Sequence, residues 1–163
     1  MRRTEAARGA LYAPAMPLVP QFEATLARNR SGRVKPRQGQ RHSILVVEDD
    51  ADLLKLVGEI LRTAGFSMRF ARSVAELRTA LGADGAPDLL VLDVRLPDGD
   101  GFDILESLRR DERFQELPVV LMTAQAQAHH VARGLALGAD GYVTKPFRMS
   151  QLVAAVNTVL GRD

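Results

Sequence analysis

The chain has 163 residues, 46% hydrophobic and 26% charged, which suits one folded domain with an additional segment. Cysteine is absent, which excludes disulfides, thiol nucleophiles and Cys-ligated zinc, and three histidines are too few for a His-rich metal site. No apolar run approaches the roughly 18 residues of a membrane span, and the opening MRRTEAARGA lacks the apolar stretch of a secretory signal. The expected compartment is the cytoplasm.

Charge divides the chain in two. Residues 1–41 hold nine basic and two acidic residues, a net +7, whereas residues 42–163 hold 13 basic and 18 acidic, a net −5. A boundary near Arg41 follows, with 1–41 as an N-terminal extension and 42–163 as the folded domain. The extension carries Pro14, Pro17, Pro20 and Pro36 and little apolar periodicity, so it is expected to be largely disordered, with a helical turn or two near residues 21–28. A basic arm can touch nucleic acid, an anionic surface or the acidic domain beside it. Such charge equally suits a solvated tail, and DNA is not the expected partner of this chain.

The second part alternates strands with helices. SILVV (43–47) is a short β-branched run and reads as a buried strand. DADLLKLVGEILRTAG places Leu53, Leu56, Val57, Ile60 and Leu61 at helical spacing, with Gly65 as a stop. FSMRFA (66–71) is a second, less apolar strand suited to an edge. SVAELRTALG opens on Ser73 with Glu76 three residues on, a capping box, and Gly82 is expected to close that helix. DLLVLD (88–93) is a third, central strand; PDGDG (97–101) is a turn; GFDILESLRRD is a helix. PVVLMT (118–123), AQAHHVARGLALG, DGYVT (140–144) and MSQLVAAVNTVLG complete the set as strand, helix, strand and helix. Five such strand–helix units predict a parallel sheet with helices on both faces.

In such a sheet ligands bind beyond the carboxyl ends of the strands. The first strand is followed there by Glu48, Asp49 and Asp50; the third ends in Asp93, the fourth in Thr123, and the fifth in Thr144 and Lys145. Carboxylates gathered at one edge favour a shared cation, and oxygen donors without His or Cys favour Mg²⁺. Lys145 supplies charge for phosphate oxygens and Thr123 a hydrogen bond. Together these groups describe phosphoryl transfer onto Asp93. Each residue alone has a plainer role: Asp49 or Asp50 as a helix cap, Asp93 as a turn residue, Thr123 as a cap, Lys145 as a solvated lysine. Their convergence on one edge makes coincidence the weaker account.

The stretches ILVVEDD, VLDVRLPDGDGFDIL, VVLMTA and GADGYVTKPF resemble the receiver domain of bacterial two-component response regulators, over residues 43–160. The separations fit as well: 44 residues from Asp49 to Asp93, 30 from Asp93 to Thr123 and 22 from Thr123 to Lys145. The resemblance implies an α/β fold, a doubly wound five-stranded parallel sheet of flavodoxin-like or CheY-like order 2-1-3-4-5. It implies that Asp93 accepts a phosphoryl group from a sensor histidine kinase or a histidine phosphotransfer protein. Asp49, Asp93 and the backbone carbonyl of Arg95 would hold Mg²⁺, with Glu48 acting mostly through a metal-bound water. Lys145 would contact the phosphoryl group, the Lys145–Pro146 bond would be cis, Thr123 would move toward the phosphoryl group, and Tyr142 would swing inward. Ala124, Arg95 and Gln125 would form the pocket mouth, Arg95 influencing the lifetime of the acyl phosphate. The face of the fourth helix, fifth predicted strand and fifth helix would then change its affinity for a downstream protein.

Other features bear on partners. His129 and His130 are adjacent on a helix and point about 100° apart, so they read as surface polar residues. Regulators of the winged-helix type dimerise through charged pairs on the fourth-helix/fifth-helix face, and Gly141 and Ala155 stand where such charges would be. The last helix is expected to expose Ala154, Ala155 and Val159, leaving the chain a monomer or a weak phosphorylation-dependent dimer. No helix-turn-helix, cyclase or hydrolase motif follows that helix in this sequence, so a stand-alone receiver is expected, the receiver portion of a longer transcriptional regulator being the alternative. The chain is not expected to be an enzyme beyond transfer onto, and hydrolysis from, Asp93. A phosphohydrolase of the haloacid-dehalogenase kind would want an Asp where Arg95 stands, and a phosphorylation-independent pseudo-receiver fits poorly with an intact residue set.

Overall fold

The computed structural model describes residues 25–28 and 39–162. In chain order these form β1 (Thr25–Ala27), β2 (Ser43–Val47), α1 (Ala51–Thr63), β3 (Ser67–Ala71), α2 (Val74–Ala83), β4 (Leu89–Leu92), β5 (Arg95–Leu96), β6 (Gly99–Asp100), α3 (Gly101–Arg110), β7 (Val119–Thr123), α4 (Ala128–Ala136), β8 (Gly141–Thr144) and α5 (Met149–Leu160). Five strands, β3-β2-β4-β7-β8, pair in parallel, which is the order 2-1-3-4-5 of the doubly wound fold.

Side-chain alternation along each strand builds two core layers. From β2, Leu45 and Val47 join Leu90 and Leu92 of β4 in a layer covered by Leu77 and Leu81 of α2, Phe102 and Leu105 of α3 and Val131 of α4. Ile44 and Val46 join Leu89 and Val91 in the opposite layer, covered by Leu54, Val57 and Leu61 of α1 and Leu152, Val156 and Val159 of α5. Strands buried on both faces explain the uninterrupted apolar runs of β2, β4 and β7. Each such Leu, Ile or Val contributes roughly 1.5–3 kcal/mol by leaving water. The less apolar β3 does stand at the edge.

Three expectations are corrected. The helical turn placed at residues 21–28 is instead a strand over Thr25–Ala27, antiparallel to β8 and closed by the Arg28 N–H donating to the Asp140 carbonyl at 2.7 Å. An edge strand offers unpaired backbone groups that an extended neighbour satisfies, whereas a lone helical turn has a costly nucleus. Residues 21–24 of that turn, and the expected disorder over most of 1–41, lie outside the described residues. In α5, Ala155 and Val159 are 1% and 0% exposed, and only Ala154 of the three faces solvent. Leu152, Ala155, Val156, Val159 and Leu160 recur at helical spacing and all turn to the sheet. In α2, the Ser73 hydroxyl accepts the Glu76 N–H at 3.1 Å, but the Glu76 carboxylate accepts from the Arg72 N–H at 2.6 Å and not from Ser73. That helix also runs on to Ala83, past Gly82.

Candidate functional site

The carboxyl ends of β2, β4, β7 and β8 bring Glu48, Asp93, Thr123 and Lys145 to one edge of the sheet. Glu48, Asp93 and Thr123 are buried, at 1%, 5% and 1% exposure, because each directly follows or closes a strand that is buried where it ends. The Lys145 ammonium donates to Glu48 Oε2 at 2.6 Å and to Asp93 Oδ2 at 3.0 Å. One cation thus bridges two buried carboxylates that would otherwise repel. Burial raises the Glu48 carboxyl above its ordinary range against the opposing pull of Lys145 and the Asp50 amide. Burial pulls the Lys145 ammonium down, but its bonds to Glu48 and Asp93 outweigh this and leave it raised, so it is charged at neutral pH.

The two aspartates after Glu48 divide their work. Asp50 caps α1, its carboxylate accepting from the Asp52 and Leu53 amides at 2.9 and 3.0 Å, while its own N–H donates to Glu48 Oε1 at 3.1 Å. Asp49 is left exposed at the mouth, its carbonyl held by the Arg72 guanidinium at 3.0 Å. One carboxylate oxygen from each of Glu48, Asp49 and Asp93 lies within 4.8 Å of the others. Three oxygen donors so close, with no nitrogen or sulfur among them, fit a small hard cation such as Mg²⁺.

The remaining predicted residues surround this group. The Arg95 N–H donates to Asp93 Oδ1 at 3.2 Å, and its side chain is exposed. Thr123 Oγ1 accepts the Gln125 N–H at 3.3 Å, and the Lys145 N–H donates to the Thr123 carbonyl at 2.8 Å. Ala124 is exposed beside them, and the Lys145–Pro146 peptide is cis. Tyr142 already lies inside, 0% exposed, with its hydroxyl donating to the Gln125 carbonyl at 2.6 Å. Burial pushes its phenol up to about 12. His129 is exposed and His130, half-buried, stacks on Phe102 with centroids 6.5 Å apart.

Three supporting residues escaped the sequence reading. A Cβ on Gly101 would stand 2.6 Å from the Asp93 carbonyl oxygen and the Val94 Cα, so only glycine lets α3 start against the backbone of Asp93. A Cβ on Gly134 would stand 2.9 Å from Leu121 and 3.1 Å from the Tyr142 ring, so this glycine makes room for Tyr142 beneath α4. The Asp98 carboxylate accepts from the Val74 and Ala75 amides at 2.8 and 3.0 Å, tying the β5–β6 hairpin to α2. The PDGDG turn signal located that hairpin but not what its aspartate holds.

A doubly wound sheet with a carboxylate cluster, a hydroxyl and a bridging lysine at its carboxyl edge defines a phosphoryl-accepting signalling domain as a class. The model of the response regulator receiver domain matches residues 44–157, and the chain belongs to that family. It is 34% identical over 120 residues to the phosphate regulon transcriptional regulatory protein PhoB of Pseudomonas aeruginosa, covering 74% of this chain and 52% of PhoB. It is 39% identical over 119 residues to the DNA-binding dual master transcriptional regulator RpaA of Synechocystis, covering 73% and 49%. The chain therefore spans about half the length of these curated relatives. Among solved structures it resembles a response regulator of Chloroflexus aurantiacus at 32% identity and a TM-score of 0.70, over 76% of this chain and all of that one. No helix among the described residues is long and apolar enough to cross a membrane.

Proposed function

We propose that this receiver, in the cytoplasm, takes a phosphoryl group onto Asp93 from a phosphohistidine of a sensor histidine kinase or phosphotransfer protein. The observation that carries the reading is the Lys145 ammonium held 3.0 Å from Asp93 and 2.6 Å from Glu48, among carboxylates spaced for a cation. An Asp93 carboxylate oxygen attacks phosphorus, the phosphorus–nitrogen bond breaks, and the imidazole leaves with the electron pair. Glu48, Asp49, Asp93 and the Arg95 carbonyl would hold Mg²⁺, which when bound offsets the negative charge of the incoming group. Lys145, 3.0 Å from Asp93, offers its charge to the phosphoryl oxygens.

Thr123 then exchanges its present role, accepting from Gln125, for donation to a phosphoryl oxygen. The loop it leaves is the one that Tyr142 grips through the Gln125 carbonyl, so the change is passed to the face of α4, β8 and α5. The only chemistry is on the chain's own side chain; it is a switch and not an enzyme acting on a further substrate.

Incubation with acetyl phosphate and Mg²⁺, followed by mass spectrometry, tests this. One phosphoryl adduct is expected on the wild type and none on Asp93→Asn; an unmodified wild type, or an adduct that survives the substitution, refutes it. Similarity to PhoB and RpaA supports a second reading, in which this receiver governs a DNA-binding segment. Phosphorylation-dependent footprinting with the full-length gene product checks that.

A further inference from the structure

The outer edge of β8 is where the parallel sheet would otherwise end. Gly141-Tyr142-Val143-Thr144 contains no charge and no proline, so a bare edge here would accept almost any extended chain. Thr25–Ala27 fills that place in register: Thr25 faces Val143, Leu26 faces Tyr142 and Ala27 faces Gly141. The Arg28 N–H closes the end of the pair on the Asp140 carbonyl at 2.7 Å. The strand is also backed by α5, with Ala27 packed on the core layer that includes Ala155 and Val159. Small residues on both sides, Ala27 facing Gly141 and Ala155 in the layer beneath, permit this close approach.

The strand opposite Tyr142 is thereby tied to the switch. The Tyr142 hydroxyl holds the loop after Thr123, and the Tyr142 backbone is the register partner of Leu26. β1 ends at the Asp140 end of β8, and β2 starts at the same end of the sheet, four strand spacings or about 19 Å away. The 15 peptide steps from Arg28 to Ser43 reach about 50 Å when extended, well beyond that separation.

Taking the output role of this face from the receiver reading above, we propose that Thr25–Arg28 is a removable cover on it. It fills in cis, by strand addition, the β8 edge that a second copy of this chain would fill in trans, and so keeps the receiver a single chain while it stays in place. The cover is part of the arm, outside residues 44–157 that define the family match.

The test uses the full chain, wild type against Leu26→Pro, which removes an amide donor from the middle of β1, with Leu26→Val as the conservative variant. Ala27→Asp, which sets a charge against the α5 layer, is a second disrupting variant. Amide exchange by mass spectrometry is read over residues 141–143, with residues 89–92 of β4 as the internal reference for intact folding. Exchange at 141–143 is expected at least tenfold faster in Leu26→Pro and Ala27→Asp than in wild type and Leu26→Val. Light scattering across a concentration series is expected to show the two disrupted proteins self-associating at least tenfold more tightly than wild type. Equal exchange in all four proteins, or self-association no tighter than wild type once the strand is broken, overturns the proposal. Both measurements are made without any phosphoryl donor, so Asp93 can fail as an acceptor without altering either result.

Discussion

Replacing Gly101 by alanine should damage this domain, although the same replacement at Gly82 should strengthen it. At Gly101 the new methyl would sit 2.6 Å from both the Asp93 carbonyl oxygen and the Val94 Cα and 3.2 Å from the Asp93 carbonyl carbon. The contact with Val94 Cα lies roughly 1 Å inside an ordinary carbon–carbon separation, and backbone atoms cannot swing aside as a flexible side chain does. Overpacking of this kind costs about 1–3 kcal/mol, against a gain of about 0.4–1 kcal/mol from restricting the unfolded chain. With a backbone clash this close the cost falls toward its upper end, and the net loss, about 2 kcal/mol, lowers the thermal midpoint by roughly 6–10 °C for a domain of this size. Gly82 lies inside α2 with nothing within 4 Å of its would-be Cβ. There alanine gains about 0.5–1 kcal/mol of helix propensity and the midpoint should rise by roughly 2–5 °C. Thermal unfolding of the two variants, paired with titration of a beryllofluoride mimic followed by Tyr142 fluorescence, separates the effects. Gly101→Ala should also bind the mimic several-fold more weakly, because the clash displaces the backbone of Asp93, while Gly82→Ala should bind as wild type does. Movement of both midpoints in the same direction, or full mimic affinity in a destabilised Gly101→Ala, would refute the claim that α3 is seated against the acceptor.

Lys145→Ala leaves Glu48 and Asp93 buried without their shared cation and should cost about 3 kcal/mol in urea unfolding at neutral pH, the low end for a broken buried pair because the lysine is partly exposed; an unchanged midpoint would deny the bridge. Tyr142→Phe removes the donor to the Gln125 carbonyl and should cost about 1 kcal/mol, with faster amide exchange around residues 124–126 as the local signature. His42 is buried and its pKa is lowered, by burial first, with the Asp88 charge raising it and the Arg162 charge lowering it in turn. The unfolded chain therefore takes up the His42 proton first as pH falls below about 6.5, so stability present above that pH is lost on acidification. His42→Gln should flatten the slope of urea midpoint against pH between about 7 and 5.5; an identical slope would show that His42 does not carry it.

Most of the parallel sheet was legible because β2, β4 and β7 are buried on both faces and so are written as continuous apolar runs. The site was legible because its side chains follow strands directly, where topology alone gathers them. What stayed hidden depends on contacts between segments remote in the chain. Asp49 and Asp50 are chemically identical in sequence, and only the backbone direction entering α1 makes the second a cap and frees the first. Gly134 carries no local turn signal, and Gly101 closes the PDGDG turn without revealing why it must be glycine: what requires glycine is Leu121 and Tyr142 at the one and the Asp93–Val94 backbone at the other. β1 was misread for the same reason: three residues with no strong preference take the conformation of the β8 edge they meet. The exposure expected for Ala155 and Val159 failed because the apolar surface of α5 is broad and the sheet covers more of it than its charge pattern suggests.

Arg162 reaches back to the Ala64 carbonyl at 3.5 Å, beside the point where α1 hands over to β3. The last helix therefore finishes at the pole of the molecule opposite Lys145, about 18 Å away along its twelve residues. A fluorophore or tether attached at the exposed residue 161 would hang from that far pole. It would leave the mouth around Asp49 clear for a docking histidine, which makes that pole the better handle for immobilised binding measurements, while a label at Arg28 would load the strand that lies beside β8.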